Sequence, residues 1–148
     1  MDKDIDASKF KTLTLHVFRL FDLREIEVSF DSHPDFTGST DEPEIGRDPR
    51  CDSIKLYRQE SLDEDLTSAI LSHRIEANLN VYTLLERYTL SCAETHFPFW
   101  AGYDQGGDGT LTITSDGSAV LSLTRRSADP DDDTEYIYSA CKPVKFLL

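Results

Sequence analysis

The sequence lacks the features that mark membrane and exported chains. No apolar run approaches the ~18 residues needed to span a bilayer, and residues 1–6 lack the basic and then apolar pattern of a signal peptide. The three cysteines, Cys51, Cys92 and Cys141, are an odd number without disulfide-type spacing. We therefore expect free thiols in a reducing cytoplasm.

Motifs for catalysis, metal binding and phosphate binding are also lacking. The histidines form no HxH or HExxH pair, no serine lies in a Gly-x-Ser-x-Gly elbow, and the glycines form no phosphate-binding loop. Asp104, Asp108 and Asp116 lie among glycines, but their spacing is that of turns and not of a calcium loop. We expect no catalytic residue, metal or cofactor. The alternative is a hydrolase in which His96, beside Glu94, acts with the carboxylates of an acidic loop.

Basic residues are few beside the acidic ones. The 28 Asp and Glu residues face 15 Lys and Arg residues, which gives a formal net charge of −13. Such a field repels nucleic acid and anionic membranes and attracts basic surfaces. We therefore expect no direct binding to nucleic acid or membrane. The charge serves either solubility, including growth in high salt, or a site for a charged partner.

The chain has the length of one domain, which we place at residues 1–148. Apolar periodicity predicts an N-terminal helix with Ser8 as its N-cap and an apolar stripe of Phe10, Leu13, Val17, Leu20 and Phe21. A strand follows, with Ile26, Val28 and Phe30 on its buried side and Glu25 and Glu27 on its wet side. A long acidic loop at about 31–52 then leads to a second strand.

The middle and the end of the chain predict helices and then strands. Ser61-Leu62-Asp63-Glu64 is a capping box, followed by one long helix or by two with a break near Arg74 to Asn80. Asp116-Gly117 predicts a hairpin turn inside a C-terminal β-meander. The order predicts an α+β fold: N-terminal helix, strand pair, central helix or helix pair, and antiparallel meander on one mixed or antiparallel sheet. Strand order and oligomeric state stay open.

Three segments resemble an uncharacterised bacterial domain family. Residues 26–31 with the acidic loop resemble its strand and "gDSG" stretch, and residues 84–87 (Leu-Leu-Glu-Arg) are similar to its helix. Trp100, the Gly-Gly-Asp-Gly-Thr-Leu-Thr-Ile run at 106–113 and the hairpin beyond it resemble its "GWENNxGxxGxxxxD" meander, although residues 101–104 (Ala-Gly-Tyr-Asp) replace the Glu-Asn-Asn. The resemblance implies the fold and a bacterial, phage or plasmid origin, and it implies no activity.

The acidity and the missing catalytic motifs favour a binding protein over an enzyme. Our first hypothesis is an inhibitor that mimics nucleic acid in the basic groove of a bacterial defence complex, as an anti-CRISPR protein of a phage or plasmid does. The alternative is an immunity or antitoxin-type protein. Trp100 either packs the helix end onto the meander or anchors a partner. The candidate partner-binding residues are Glu25, Glu27, Asp35, Asp41, Glu42, Glu44, Trp100, Asp129, Asp131, Asp132, Asp133 and Glu135.

Overall fold

The computed structural model describes residues 7–32, 50–98, 106–129 and 131–148, and the side chains of 8–31, 50–98, 106–127, 131 and 137–148. The order of elements confirms the predicted α+β fold. In chain order they are α1 (Ala7–Phe21), β1 (Glu25–Ser32), β2 (Arg50–Tyr57), α2 (Glu64–Ser72), β3 (Arg74–Glu76), β4 (Leu79–Asn80), α3 (Val81–His96), β5 (Gly107–Thr114), β6 (Ser118–Asp129), β7 (Asp132–Ala140) and β8 (Val144–Leu147).

The main sheet is antiparallel throughout, in the order β2-β1-β5-β6-β7, with β8 also paired to β6. Strand β5 occupies one edge of β6, so β7 and β8 share the other edge. There Ala140 faces Thr124 and Val144 faces Leu121. Between these pairs, residues 141–143 oppose only residues 122–123, which leaves one extra residue as in a β-bulge. The two strands are therefore one edge strand, interrupted before Pro143.

One face of the sheet packs against the helices. Helix α3 contacts β1 and β2 and lies between α1 and α2. The strand residues on this face are all at most 8% exposed, and each fully buried Leu or Ile contributes about 2 kcal/mol; they are Ile26, Val28, Phe30, Ile54, Leu56, Leu111, Ile113, Ala119, Leu121 and Leu123. The alternate residues point to the other face and are mostly half-buried polar side chains.

Helix α1 is rotated relative to the predicted stripe. Its most buried residues are Phe10, Thr14, Val17 and Phe18, whereas Leu20 is 46% exposed. Phe18 continues the row of Phe10 and Thr14 by one turn, and Leu20 falls on the flank of that row. The predicted N-cap is also wrong, because α1 begins at Ala7 and Ser8 lies inside it.

The central region is a pair of helices, the second of the two predicted alternatives. The capping box at Ser61 is wrong: Asp63 is the N-cap of α2, and its Oδ1 accepts a hydrogen bond from the Leu66 N–H at 2.7 Å. An ionised aspartate stabilises the positive end of the helix better than a serine does. Asn80 caps α3 in the same way, at 2.7 Å from the Thr83 N–H, and the β3–β4 hairpin fills the break.

The predicted hairpin at Asp116-Gly117 is confirmed. Gly117 has φ +91°, a conformation that L side chains rarely adopt. The Asp116 Oδ1 accepts hydrogen bonds from the Thr114 hydroxyl and, at 2.9 Å, from the Ser118 N–H. These bonds lower the pKa of Asp116 below its usual value. The turn thereby fixes the register of β5 against β6.

Candidate functional site

Glu25 and Glu27 lie on the sheet face away from the helices, as predicted, but among mixed neighbours. Glu27 faces Lys55 on β2 and Thr112 on β5, and both glutamates are half-buried. A cation directly across the strands offsets the glutamate charge. This part of the face is therefore polar and of mixed charge, and not a continuous row of carboxylates.

A buried ion pair crosses one end of the same face. Arg126 on β6 places its Nη2 3.2 Å from the Oδ1 of Asp31 on β1, with β5 between them. The two residues are 7% and 8% exposed. Asp108 of β5 stands directly across from Asp31, and the Arg126 N–H donates to the Gly106 carbonyl at 3.1 Å. The pair fixes the relative position of three strands at this end.

Three connections join the sheet at that same end, which we call the acidic end. It is formed by the last residue of β1 (Ser32), the first residues of β2 (Arg50) and β5 (Gly107), and the β6–β7 turn from Asp129 to Asp132. The connections are residues 33–49, the segment that follows α3, and the β6–β7 turn. Two of the three carry the acidic runs of the sequence. Antiparallel order alone puts their points of attachment at the same end of the sheet, with Asp129 four residues, or ~13 Å, beyond the level of Ser32 and Gly107.

Most of the surplus negative charge is carried by residues whose side chains are not among those described. Of the 28 acidic and 15 basic residues, 13 acidic and 2 basic ones lie in residues 1–7, 32–49, 99–105, 128–130 and 132–136. The described side chains thus include 15 acidic against 13 basic residues. The body of the fold is close to neutral.

The other predicted partner-binding residues, besides Glu25 and Glu27, fall into three groups. Asp131 is exposed in the β6–β7 turn. The backbone positions of Asp129, at the end of β6, and of Asp132, Asp133 and Glu135 in β7 are described, and their side chains lie outside the description. The remaining predictions lie outside the described residues: Asp35, Asp41, Glu42, Glu44 and Trp100.

His96 lies far from the acidic end. Its ring stacks on Phe146 of β8, with centroids 4.6 Å apart, and Glu94 is exposed. Phe146 faces Ala119, at the end of the sheet where the β5–β6 turn lies. Along β1 that level corresponds to Ile26, five residues or ~17 Å from Asp31. His96 therefore has a packing contact, and the hydrolase alternative stays a prediction.

A groove that the sequence did not predict lies at the end opposite the acidic end. It has a volume of about 550 Å³ and runs between α1 and the C-terminal residues; its lining includes Lys11, Leu15, Phe18, Arg19, Asp116 and Leu147. These residues come from three distant segments, so no local pattern could reveal the groove. The charged side chains of its lining are of both signs, and the lining residues form no cluster of catalytic or metal-binding groups.

Comparisons of the chain with protein-family models, with curated proteins and with solved structures gave no match. The resemblance to the uncharacterised bacterial family therefore stays a prediction. Among the described residues, no group of three or more His, Cys, Asp or Glu side chains could hold a metal ion. No helix in the described ranges is long and apolar enough to cross a membrane.

Proposed function

We propose that this chain is an acidic binding protein whose acidic end engages a basic, nucleic-acid-binding surface of another protein. The observation that carries the proposal is topological: the two acidic runs, at 33–49 and 129–135, attach at one end of a nearly neutral sheet. Charge that is concentrated at one end of a molecule orients its encounter with a basic groove, whereas evenly spread charge does not.

The density of carboxylates supports nucleic-acid mimicry at this end. Residues 129–135 hold five carboxylates in seven residues, and residues 33–49 hold five with one arginine. A groove that binds the phosphates of duplex DNA is lined by Lys and Arg side chains, which also attract clustered carboxylates. An inhibitor of this kind suits a phage or plasmid that opposes a bacterial defence complex in the cytoplasm.

The rigid base of the acidic end supports the proposal further. The buried Arg126–Asp31 pair, at 3.2 Å, ties β6 to β1 next to the end of β1 and three residues before the β6–β7 turn begins at Asp129. A fixed base reduces the conformational entropy that is lost when the attached segments bind. The pair thus stabilises the geometry from which both acidic segments start.

The test begins with the tagged full chain, bound to host extract at low salt and eluted by a salt step. Mass spectrometry identifies the eluted protein, and purified duplex DNA and RNA then compete for it. We expect a basic nucleic-acid-binding protein whose affinity for the chain falls steeply with salt and which nucleic acid displaces.

A matched pair of variants locates the contact. The first variant changes Asp131, Asp132, Asp133 and Glu135 to amides; the control changes Glu60, Glu64, Asp65 and Glu94, four exposed acids on or beside the helices. Both lose four charges. We expect the first variant to bind at least roughly tenfold more weakly and the control to bind almost normally. Equal losses would mean that only net charge matters and would overturn the proposal. A partner that nucleic acid does not displace would favour the immunity-type alternative.

A further inference from the structure

The groove between α1 and the C-terminal residues has an apolar lining that is continuous with the core. Phe18 and Leu23 in this lining are almost completely buried, and Leu15 and Leu148 are half-buried. The groove volume of about 550 Å³ is in the range of small-molecule sites, which are mostly apolar with a few polar groups that orient the ligand. The groove therefore has the size and the apolar surface of a site for a small molecule.

Two cationic side chains border this apolar lining from one face of α1. Lys11, Leu15 and Arg19 follow one another at four-residue steps, and residues four apart in a helix lie one above the other. Both cations are exposed, and among the described residues neither Lys11 nor Arg19 forms an ion pair or a side-chain hydrogen bond. Their charges are therefore available to an anion in the groove.

The spacing of the two cations fits a single anionic group above Leu15. A four-residue step rises ~6 Å along the helix axis, so Lys11 and Arg19 lie ~6 Å to either side of Leu15. Their long, flexible side chains can both reach the point between them. A guanidinium binds a carboxylate through two parallel hydrogen bonds, and an ammonium adds a point charge. One carboxylate in this position would contact both cations.

The acidic residues of the lining lie away from this position. The Asp116 carboxylate is held in the β5–β6 turn by two hydrogen bonds. Asp22 follows the end of α1, which is ~9 Å along the helix axis from Leu15. The acidic end of the sheet is separated from the groove by the length of β5, eight residues or ~25 Å. Water and salt screen charges at these distances more than they screen a direct ion pair.

We propose that this groove binds an aliphatic carboxylate, with its carboxylate between Lys11 and Arg19 and its alkyl chain on the apolar lining. Charge complementarity favours an anion, because the two charges that flank Leu15 are both positive. An alkyl chain suits the lining, since hydrophobic contact is non-directional and grows with the apolar area removed from water. The proposal goes beyond the function above and does not depend on it, because the groove and the acidic end lie at opposite ends of the sheet.

Titration of the ¹⁵N-labelled full chain with octanoate, followed by amide NMR shifts, tests the proposal. We expect saturable binding with a Kd below roughly 1 mM and shifts centred on α1 and the β5–β6 turn. Octanol, which has the same alkyl chain and no charge, should bind at least roughly tenfold more weakly. Absence of saturable octanoate binding, shifts centred elsewhere, or equal binding of octanol would overturn the proposal.

A matched pair of double variants tests the two cations. Lys11→Gln with Arg19→Gln removes the charges at the groove, and Lys55→Gln with Lys142→Gln removes two exposed charges elsewhere. We expect the first to weaken octanoate binding at least roughly tenfold and the second to change it less than about twofold. Equal weakening by both would mean that only net charge matters, and it would overturn the proposal.

A carboxylate supplied by the chain itself tests the position of the head group. Leu15→Glu places an anion between Lys11 and Arg19, and its four-residue spacing from both allows two ion pairs on α1. Octanoate binding should be lost while circular dichroism shows the native helix content. Leu15→Gln has a similar size without the charge and should weaken binding less than about threefold. Unchanged binding by Leu15→Glu, or equal losses in both variants, would contradict the proposed site.

Discussion

Arg126 and Asp31 join two strands that are not neighbours in the sheet, through an ion pair of 3.2 Å that is almost fully buried. A buried pair is expensive to break, because the remaining charge stays out of water. We expect Arg126→Met to lower the free energy of unfolding by about 3 kcal/mol, measured by urea denaturation.

An exposed ion pair is the control for this prediction. Lys9 and Glu76 lie 3.0 Å apart with side chains 49% and 40% exposed. Lys9→Met should cost about 0.5 kcal/mol, because solvent screens such pairs. Similar losses for both variants would show that burial adds nothing to the pair at the acidic end.

Gly109 allows β5 to approach both β6 and the Phe30 ring. A Cβ at this position would collide with the Ser122 carbonyl oxygen and lie 2.6 Å from Phe30 Cζ. We expect Gly109→Ala to lower the free energy of unfolding by about 2 kcal/mol through overpacking. Gly117→Ala meets no atom within 4 Å but keeps φ +91°, so it should cost about 1 kcal/mol. Urea denaturation distinguishes the two, and a reversed order would contradict the packing of β5 against β6.

The N-cap of α2 gives a direct test of the corrected helix start. Asp63→Ala removes the acceptor for the Leu66 N–H and should cost about 1 kcal/mol. Ser61→Ala should be nearly neutral, because Ser61 lies outside the helix and is exposed. Thermal unfolding of the two variants measures the difference. A larger effect at Ser61 would restore the capping box that the sequence predicts.

Two buried thiols contribute to the pH dependence of stability in the alkaline range. Burial, with the nearby charges of Glu86 and Asp52, raises the pKa of Cys51 to about 12. Burial also raises the pKa of Cys92 to about 11, against the lowering effect of a hydrogen bond with Tyr88. A thiol that ionises more easily in the unfolded chain stabilises the fold fully below its unfolded pKa of 9.0 and loses this contribution as pH rises.

We therefore expect these thiols to add no pH dependence to the free energy of unfolding below about pH 9. Above it, the free energy of unfolding should fall by up to about 1.4 kcal/mol per pH unit for each thiol. Denaturation with urea between pH 7 and pH 11 measures the slope. Cys51→Ala with Cys92→Ala should make the alkaline fall shallower, and the fall that remains belongs to groups such as Tyr88, whose pKa burial also raises. An unchanged slope in the double variant would assign the pH dependence to other groups.

Local patterns predicted the fold class and most elements well. The alternation from Ile26 to Phe30 and the turn at Asp116-Gly117 each depend on neighbours in the sequence, and the structure confirms both. The sequence places Leu20 in the apolar stripe because three- and four-residue steps define a stripe without fixing its centre. The centre of the stripe depends on the surface of α3 and the sheet against which α1 packs, and these elements are distant from α1 in the sequence.

The sequence predicts which residues make up the candidate site, but it does not predict how the fold arranges them. The carboxylates of residues 129–135 are evident in the sequence. That their connection shares an end of the sheet with residues 33–49 depends on the strand order β2-β1-β5-β6-β7, which periodicity does not determine. The Arg126–Asp31 pair spans 95 residues, so no spacing rule could reveal it.

The near balance of 15 acidic and 13 basic described side chains bears on how strongly copies of this chain repel one another. Without the ten carboxylates of residues 33–49 and 129–135, the formal charge of the chain would fall from −13 to −3. Molecules with this smaller net charge repel one another less strongly than molecules that carry −13. The same segments that we propose for partner binding therefore also provide most of the repulsion between copies of the chain, and losing them would reduce both.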